Sequence, residues 1–221
     1  MKKLNKKIKF KIASDGSSAS GKTTGGKLIS RKFNMKFLSS GSLYRFCALK
    51  IIENNNDYSI EFINKIAKSI TLKKLQNKKL YSPELARLSS IIAKKKFVRR
   101  TLQSFQLNFI NKYRLVVVEG RDIGSVIMPN ADLKLFFTCS VKEKAKRRLK
   151  EFKKNYDKIT LKQVEKSLIQ RDKEDSKRKI SPLIMTKNAV LVDTTKLSIK
   201  QMEIKLNSLV RNAIKKKYGN L

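Results

Sequence analysis

The octapeptide Gly16-Ser17-Ser18-Ala19-Ser20-Gly21-Lys22-Thr23 satisfies G-x-x-x-x-G-K-[ST] at every fixed position. Glycines at both ends let the backbone curl until successive N–H groups point inward, which makes a nest for an anion. A helix beginning at Lys22 adds its positive N-terminal end to the same point. Lys22 then neutralises the β and γ phosphates of a nucleoside triphosphate, and the Thr23 hydroxyl completes the shell of a magnesium ion on those oxygens. Gly16 to Thr23, with Thr24 beside them, are the candidate donor-binding residues. The loop specifies a triphosphate and leaves open what receives the phosphoryl group: ATPases and GTPases activate water there, whereas kinases place a second substrate.

Composition removes several rival chemistries. The chain of 221 residues has no His, which excludes Ser-His-Asp hydrolysis, Cys-His catalysis and His-ligated zinc. Its two cysteines, Cys47 and Cys139, sit in apolar patterns and read as structural. No apolar run approaches the ~20 residues needed to cross a bilayer, and the lysine-rich Met1–Lys11 is not followed by a signal-peptide core. The expectation is a cytoplasmic protein without membrane contact.

The elements that must position the loop follow from periodicity. Ile8 to Ala13 alternates like a strand entering the loop, and Lys22 to about Asn34 reads as the helix after it. A short strand is expected at Phe37-Leu38 and a helix from Ser42 to Glu53, then a helix at Ile60–Ser69 inside an ambiguous lysine-rich stretch, Tyr58–Leu80. Ser82-Pro83-Glu84 is a helix start, and a second helix is expected from Phe97 to Asn111. Leu115-Val116-Val117-Val118 has the unbroken apolar character of a strand covered on both faces. Leu133–Thr138 and Ala189–Val192 complete five strands, with helices at Val141 to about Lys154, Leu161 to about Lys173 and Ile199–Ala213. This order predicts an α/β fold, a doubly wound parallel five-stranded sheet flanked by helices, which binds ligands beyond the carboxyl ends of its strands.

Seven of the twelve Arg fall in short polar signatures near element ends: Arg45, Arg99, Arg121, Arg147, Arg148, Arg171 and Arg178. Ser40-Gly41-Ser42-Leu43-Tyr44-Arg45 follows the second strand, Gly120-Arg121-Asp122-Ile123-Gly124 follows the valine strand, and Arg171-Asp172-Lys173-Glu174-Asp175-Ser176-Lys177-Arg178 closes a helix. Guanidiniums spread over several loops suit a phosphorylated acceptor, because the planar fork matches phosphate geometry. Such an acceptor is already an anionic nucleophile, so positioning and charge stabilisation suffice without a strong general base. Arg147 and Arg148 also fit a solvated helix face, and the Arg171–Arg178 run fits surface ion pairs. Glu119, at the end of the valine strand, is placed to order magnesium-bound water.

Together with the phosphate loop, Ser90 nine residues before Arg99, and the late Val192-Asp193-Thr194-Thr195, these signatures resemble the bacterial cytidylate kinase family from Ile12 to about Ile204. The resemblance implies transfer of the γ-phosphoryl of ATP to CMP or dCMP. It implies one kinase domain over 1–221, containing a small nucleotide-binding insert at 57–97 and a short helical lid at 145–178. It places Tyr44, Arg45, Arg121 and Arg178 around the acceptor phosphate, Ser90, Arg99 and Asp122 on the cytosine, and Arg171 with Asp175 on the sugar, with Ser40 also among the substrate-binding residues. Lys22, Arg147, Arg148 and Arg178 would serve the transferring phosphoryl. Two departures stand out: Ser39 replaces the family's usual Asp before Ser-Gly, and the segment between Asp57 and Ser90 is shorter than the family's three-stranded insert.

Lys and Arg total 53 against 17 Asp and Glu, a formal net charge of +36. The excess is mostly Lys, spread from Lys2 to Lys217 and not interleaved with aromatics that would stack on single-stranded bases. It reads as compositional background without a dedicated nucleic-acid role. Another small-acceptor P-loop kinase, or a basic triphosphate-binding protein acting on nucleic acid, are the alternatives. Nothing in the sequence requires more than a monomer.

Overall fold

The computed structural model of the chain describes residues 8–152 and 159–219. Five strands form one sheet in the order β2-β3-β1-β4-β5: β1 (Phe10–Gly16), β2 (Lys36–Ser39), β3 (Leu115–Gly120), β4 (Leu133–Thr138) and β5 (Ala189–Asp193). β1 pairs in parallel with β3 on one side and β4 on the other, and β4 pairs in parallel with β5. The chain moves out from β1 to β2, returns to β3, and crosses to β4 on the far side, so the switch point lies at the carboxyl end of β1. The phosphate loop leaves the sheet there.

By contacts the chain divides into two compact units, Met1–Leu38 with Lys112–Leu221, and Ser39–Asn111. The first holds the sheet. Its helix α1 (Lys22–Phe33) packs on the C-terminal helix, α8 (Ile199–Tyr218), and a core of Phe10, Ile12, Ile29, Val117, Phe137, Val192, Leu206 and Val210 lies between sheet and helices. The central position of β1 explains why Ile12, Ala13 and Ser14 are all buried, with no alternation. The expected strand at Ile8–Ala13 therefore starts two residues later and runs through Asp15 to Gly16. Helices α6 (Val141–Phe152) and α7 (Leu161–Lys177) pack as a pair on a small core of Ala145, Val164 and Leu168, with Ala19 of the phosphate loop against it. Of the expected helix from Val141, residues 153 and 154 lie outside the described residues, as does 153–158 of the expected lid.

Two helices outrun their expected ends. α7 continues from Lys173 to Lys177, and α8 from Ala213 to Tyr218. Lys215, Lys216 and Lys217 complement the negative end of α8, and the Tyr218 hydroxyl fixes that end by accepting the Lys9 N–H at 3.1 Å.

The second unit is helical. α2 (Ser40–Glu53) packs on α3 (Ile60–Lys68) and α4 (Pro83–Ile92), and α5 (Lys96–Lys112) leads back to the sheet. Ser82 caps α4 by accepting the Leu85 N–H at 3.1 Å, with Pro83 in the first turn as the sequence predicts. The ambiguous stretch resolves into α3 and two 3₁₀ turns, Lys74–Gln76 and Lys78–Tyr81, and no strand occurs in 57–97. Both cysteines are buried and free, and burial pushes the Cys47 thiol up to about 12, so it stays protonated. Among the described residues no helix is long and apolar enough to cross a membrane.

Candidate active site

Gly16 is fixed by lack of space: a Cβ there would lie 2.3 Å from the Phe137 carbonyl oxygen on β4, and the residue has φ +152°. Ala19 and Gly21 both take positive φ, which turns the chain back on itself before α1. Within this curl the Ser20 hydroxyl donates to the Ser17 carbonyl at 2.9 Å, and the Lys22 Nζ donates to the same carbonyl at 2.9 Å. Lys22 is buried. That burial, with the Arg121 charge adding to it, pushes its pKa down to about 7. A ligand bringing negative charge to the loop restores the ammonium form.

The Thr23 hydroxyl donates to Glu119 Oε1 at 3.1 Å, so a hydroxyl from the first turn of α1 and a carboxylate from the end of β3 meet at the mouth of the loop. Both are hard oxygen donors of the kind magnesium takes. Among the described residues no group of three or more His, Cys, Asp or Glu could hold a metal alone, so a cation here would rely on phosphate oxygens and water.

The helix pair α6–α7 reaches the phosphate loop through charged side chains. Arg148 Nη2 lies 3.3 Å from the Ser18 hydroxyl and donates to it. Arg147 donates to the Thr194 hydroxyl at 2.9 Å and carbonyl at 2.8 Å, and Thr194 donates to the Ser20 carbonyl at 2.9 Å. Arg148 therefore touches the loop directly, while Arg147 reaches it through Thr194, the third residue of the Val192–Thr195 motif. Lys144 was legible in sequence only as one more basic residue of a surface helix. It is buried, pairs with Asp172 and donates to the Ser17 hydroxyl at 3.4 Å. Asp172 in turn accepts the Ser18 N–H at 3.0 Å. The i, i+4 spacing of Lys144 and Arg148 puts them on one face of α6, which was the available clue.

A second cluster joins the loop after β3 to the end of α7. Arg121 Nε donates to Asp175 Oδ2 at 2.7 Å, and Arg178, the residue that caps α7, lies 3.7 Å from Asp175 Oδ1 and 3.8 Å from Asp122 Oδ1. Asp122 and Asp175 are buried. Burial by itself would raise Asp175, but Arg121 and Arg171 outweigh it and hold its carboxyl below the usual range. Burial likewise acts to lower Arg121, and the Asp175 carboxylate reverses that, so its guanidinium is held above its ordinary value. Arg171 lies on α7 one turn before Asp175. The separated motifs G-R-D-x-G and R-D-x-x-D-x-x-R thus converge on one charged cluster.

In the second unit, Ser40 opens α2, and Ser39 caps that helix by accepting the Ser42 N–H at 3.3 Å. The departure from the family's Asp at this position leaves the cap in place. The Arg45 guanidinium stacks over the Tyr81 ring at 4.9 Å, and Arg99 lies over the Tyr44 ring at 5.8 Å while donating to the Ala93 carbonyl at 3.2 Å. Ser90 is half-buried on α4. Tyr81, whose hydroxyl is 3.3 Å from the Ser42 hydroxyl, joins Ser42 and Arg45 in a group that no sequence motif marks.

The chain matches the family model described as Cytidylate kinase over residues 12–212. It is 38% identical over 216 residues to a cytidylate kinase of Thermotoga petrophila, covering 91% of this chain and 97% of that one. A cytidylate kinase of Mycoplasmoides gallisepticum is 35% identical over 94% of this chain and 96% of its own. A solved structure of a gluconokinase from Sinorhizobium meliloti superposes with a TM-score of 0.50 at 15% identity, covering 97% of this chain and 99% of that one, a likeness of fold. With the phosphate loop, the two arginine–carboxylate motifs and a match over nearly its whole length, the chain belongs to the cytidylate kinase family.

Proposed function

We propose that the chain transfers the γ-phosphoryl of ATP to CMP or dCMP, giving ADP and CDP or dCDP. The observation that carries this reading is the cluster in which Arg121 and Arg178 face the buried carboxylates of Asp122 and Asp175, built from the loop after β3 and the end of α7 in the unit that carries the phosphate loop. A water-activating enzyme needs arginine only on the triphosphate itself, whereas a kinase with an anionic acceptor needs guanidiniums for a second phosphate as well. The loop amides and Lys22 grip the donor, and Arg148 adds charge at Ser18. Thr23, with Glu119 beside it, would hold magnesium together with the ATP phosphates; when bound, the ion supplies further neutralisation of the phosphate oxygens.

Arg121 and Arg178 bind the acceptor phosphate; the family resemblance assigns Tyr44 and Arg45 to that phosphate also, and Ser40 to the substrate. Arg171 and Asp175 hold the sugar. Ser90, Arg99 and Asp122 read cytosine, whose amine is a donor that a carboxylate accepts. Uracil presents a carbonyl there, leaving a buried carboxylate facing an acceptor, which disfavours UMP. The segments 57–97 and 145–178 are proposed as the shortened CMP-binding insert and the lid region. The chain works in the cytoplasm and as a monomer.

The test is coupled ADP release with CMP, dCMP, UMP, AMP and dTMP side by side. Stimulation by CMP and dCMP above the rest is expected. Turnover driven by RNA or DNA and not by CMP would favour the nucleic-acid reading that the net charge of +36 invites.

A further inference from the structure

Asp15 is the penultimate residue of β1, directly before Gly16 of the phosphate loop, and its side chain is almost sealed from solvent. Its Oδ1 accepts the Ile123 N–H at 2.8 Å and its Oδ2 accepts the Gly124 N–H at 2.6 Å. These amides open the π-helical turn Ile123–Ile127, to which Asp122 gives no side-chain cap. The donors a helix start leaves unmet are thus satisfied from 108 and 109 residues away. The fit is close: a Cβ at Gly124 would stand 3.2 Å from Asp15 Oδ2 and 3.2 Å from Lys134 Cδ, so the clamp shuts on a residue without a side chain.

We propose that Asp15 is a positioning residue that locks the loop Gly120–Gly124 to the phosphate loop, so that Arg121 and Asp122 meet the acceptor in line with the donor phosphates. This rests on the reading of Arg121 and Asp122 as acceptor ligands. The Asp15 carboxylate is spent on the two main-chain amides and almost sealed from solvent, which suits alignment and not direct contact with a substrate. Two parallel main-chain donors need two acceptor oxygens; Asn offers one and turns an NH2 against the second amide, which tilts the loop. A carboxylate held in so dry a place, with its pKa pushed up to about 6 chiefly by burial, is expensive for the fold, and an uncharged packing residue would cost less. Its placement is accounted for by what it aligns.

The experiment compares full-length wild type with Asp15→Asn and Gly124→Ala, measuring kcat and KM for CMP and for ATP separately, together with the thermal midpoint. Each variant is expected to lose about tenfold or more in kcat/KM for CMP while KM for ATP stays within about threefold, since a small misalignment at the acceptor is felt there first. Equal losses for both substrates that track a fallen midpoint, or no loss in either variant, overturn the inference. If Asp15→Asn fails to fold, Gly124→Ala reads the other half of the clamp and decides alone. A wild type that makes no CDP from CMP overturns the proposed acceptor as well, whereas an active wild type with an unselective Asp15→Asn and Gly124→Ala overturns only the clamp.

Discussion

The depressed pKa of Lys22 makes ATP binding a proton-uptake reaction. With the side chain buried and its pKa near 7, the ammonium is mostly neutral above that pH in the ligand-free protein. Bound phosphates return it toward the ordinary lysine range, so the bound state carries the extra proton. At pH 8 a group of pKa about 7 is about one-tenth protonated, so about 0.9 proton per ATP should be taken up, against about 0.5 at pH 7. Apparent affinity should then weaken by about 2.3 kcal/mol, roughly fiftyfold, between pH 7 and pH 9. The same shift affects stability with a definite sign: the folded state binds less proton than the unfolded chain, so the penalty is complete below pH 7 and is relieved as pH rises toward the ordinary lysine value. Isothermal titration of ATP at pH 8 in buffers of different ionisation enthalpy counts the protons directly, and ATP itself is fully ionised there. Lys22→Arg, which stays charged, is the control and should take up none. A count near zero for wild type, with affinity flat from pH 7 to pH 9, would refute the assignment of Lys22 as a buried, neutralised phosphate ligand.

Other expectations are narrower. Asp15 has its pKa raised, so its contribution to stability is greatest below the ordinary carboxylate range and is lost as pH climbs through about 6; relative to Asp15→Asn, wild type should lose up to about 3 kcal/mol in urea titrations between pH 4 and pH 7. Asp175→Ala removes the carboxylate that Arg121 and Arg178 face, and should cost about 3 kcal/mol of folding stability together with most CMP binding; unchanged urea midpoints would show the pairing to be weak. Thr194→Val deletes the hydroxyl that joins Arg147 to the Ser20 carbonyl and should cost about 1–3 kcal/mol and raise KM for ATP with CMP affinity kept. Arg178→Ala should lower kcat and weaken CMP together, and unchanged kinetics would remove its assignment.

The parts of this molecule that could be read from sequence are those whose cause is local. The strand, Gly16–Thr23 and α1 are contiguous, and the Val116–Val118 run could only be a strand covered on both faces. Asn34, expected as the end of α1, caps it in a left-handed conformation. What escaped the reading depends on contacts across the chain. The opening amides of the turn Ile123–Ile127 are held by Asp15, more than a hundred residues away in sequence, so its own apolar sequence carries no sign of a π-helical turn. Lys144 sits in a helix so rich in lysine that composition hides it, and only the partner Asp172, 28 residues on, shows that it is buried. Arg147 and Arg148 are neighbours in sequence and looked equivalent. One turns to Thr194 and the other to Ser18, a division set by where β5 ends.

In a kinase of this family the phosphoryl group leaves ATP for a cytidine nucleotide and not for water. Following γ-labelled ATP with wild type, magnesium and CMP settles it: the label should appear in CDP, with almost none in inorganic phosphate and almost no ATP consumed when CMP is omitted. Label released as inorganic phosphate at a rate indifferent to CMP would mean that water, not the cytidine nucleotide, is the acceptor.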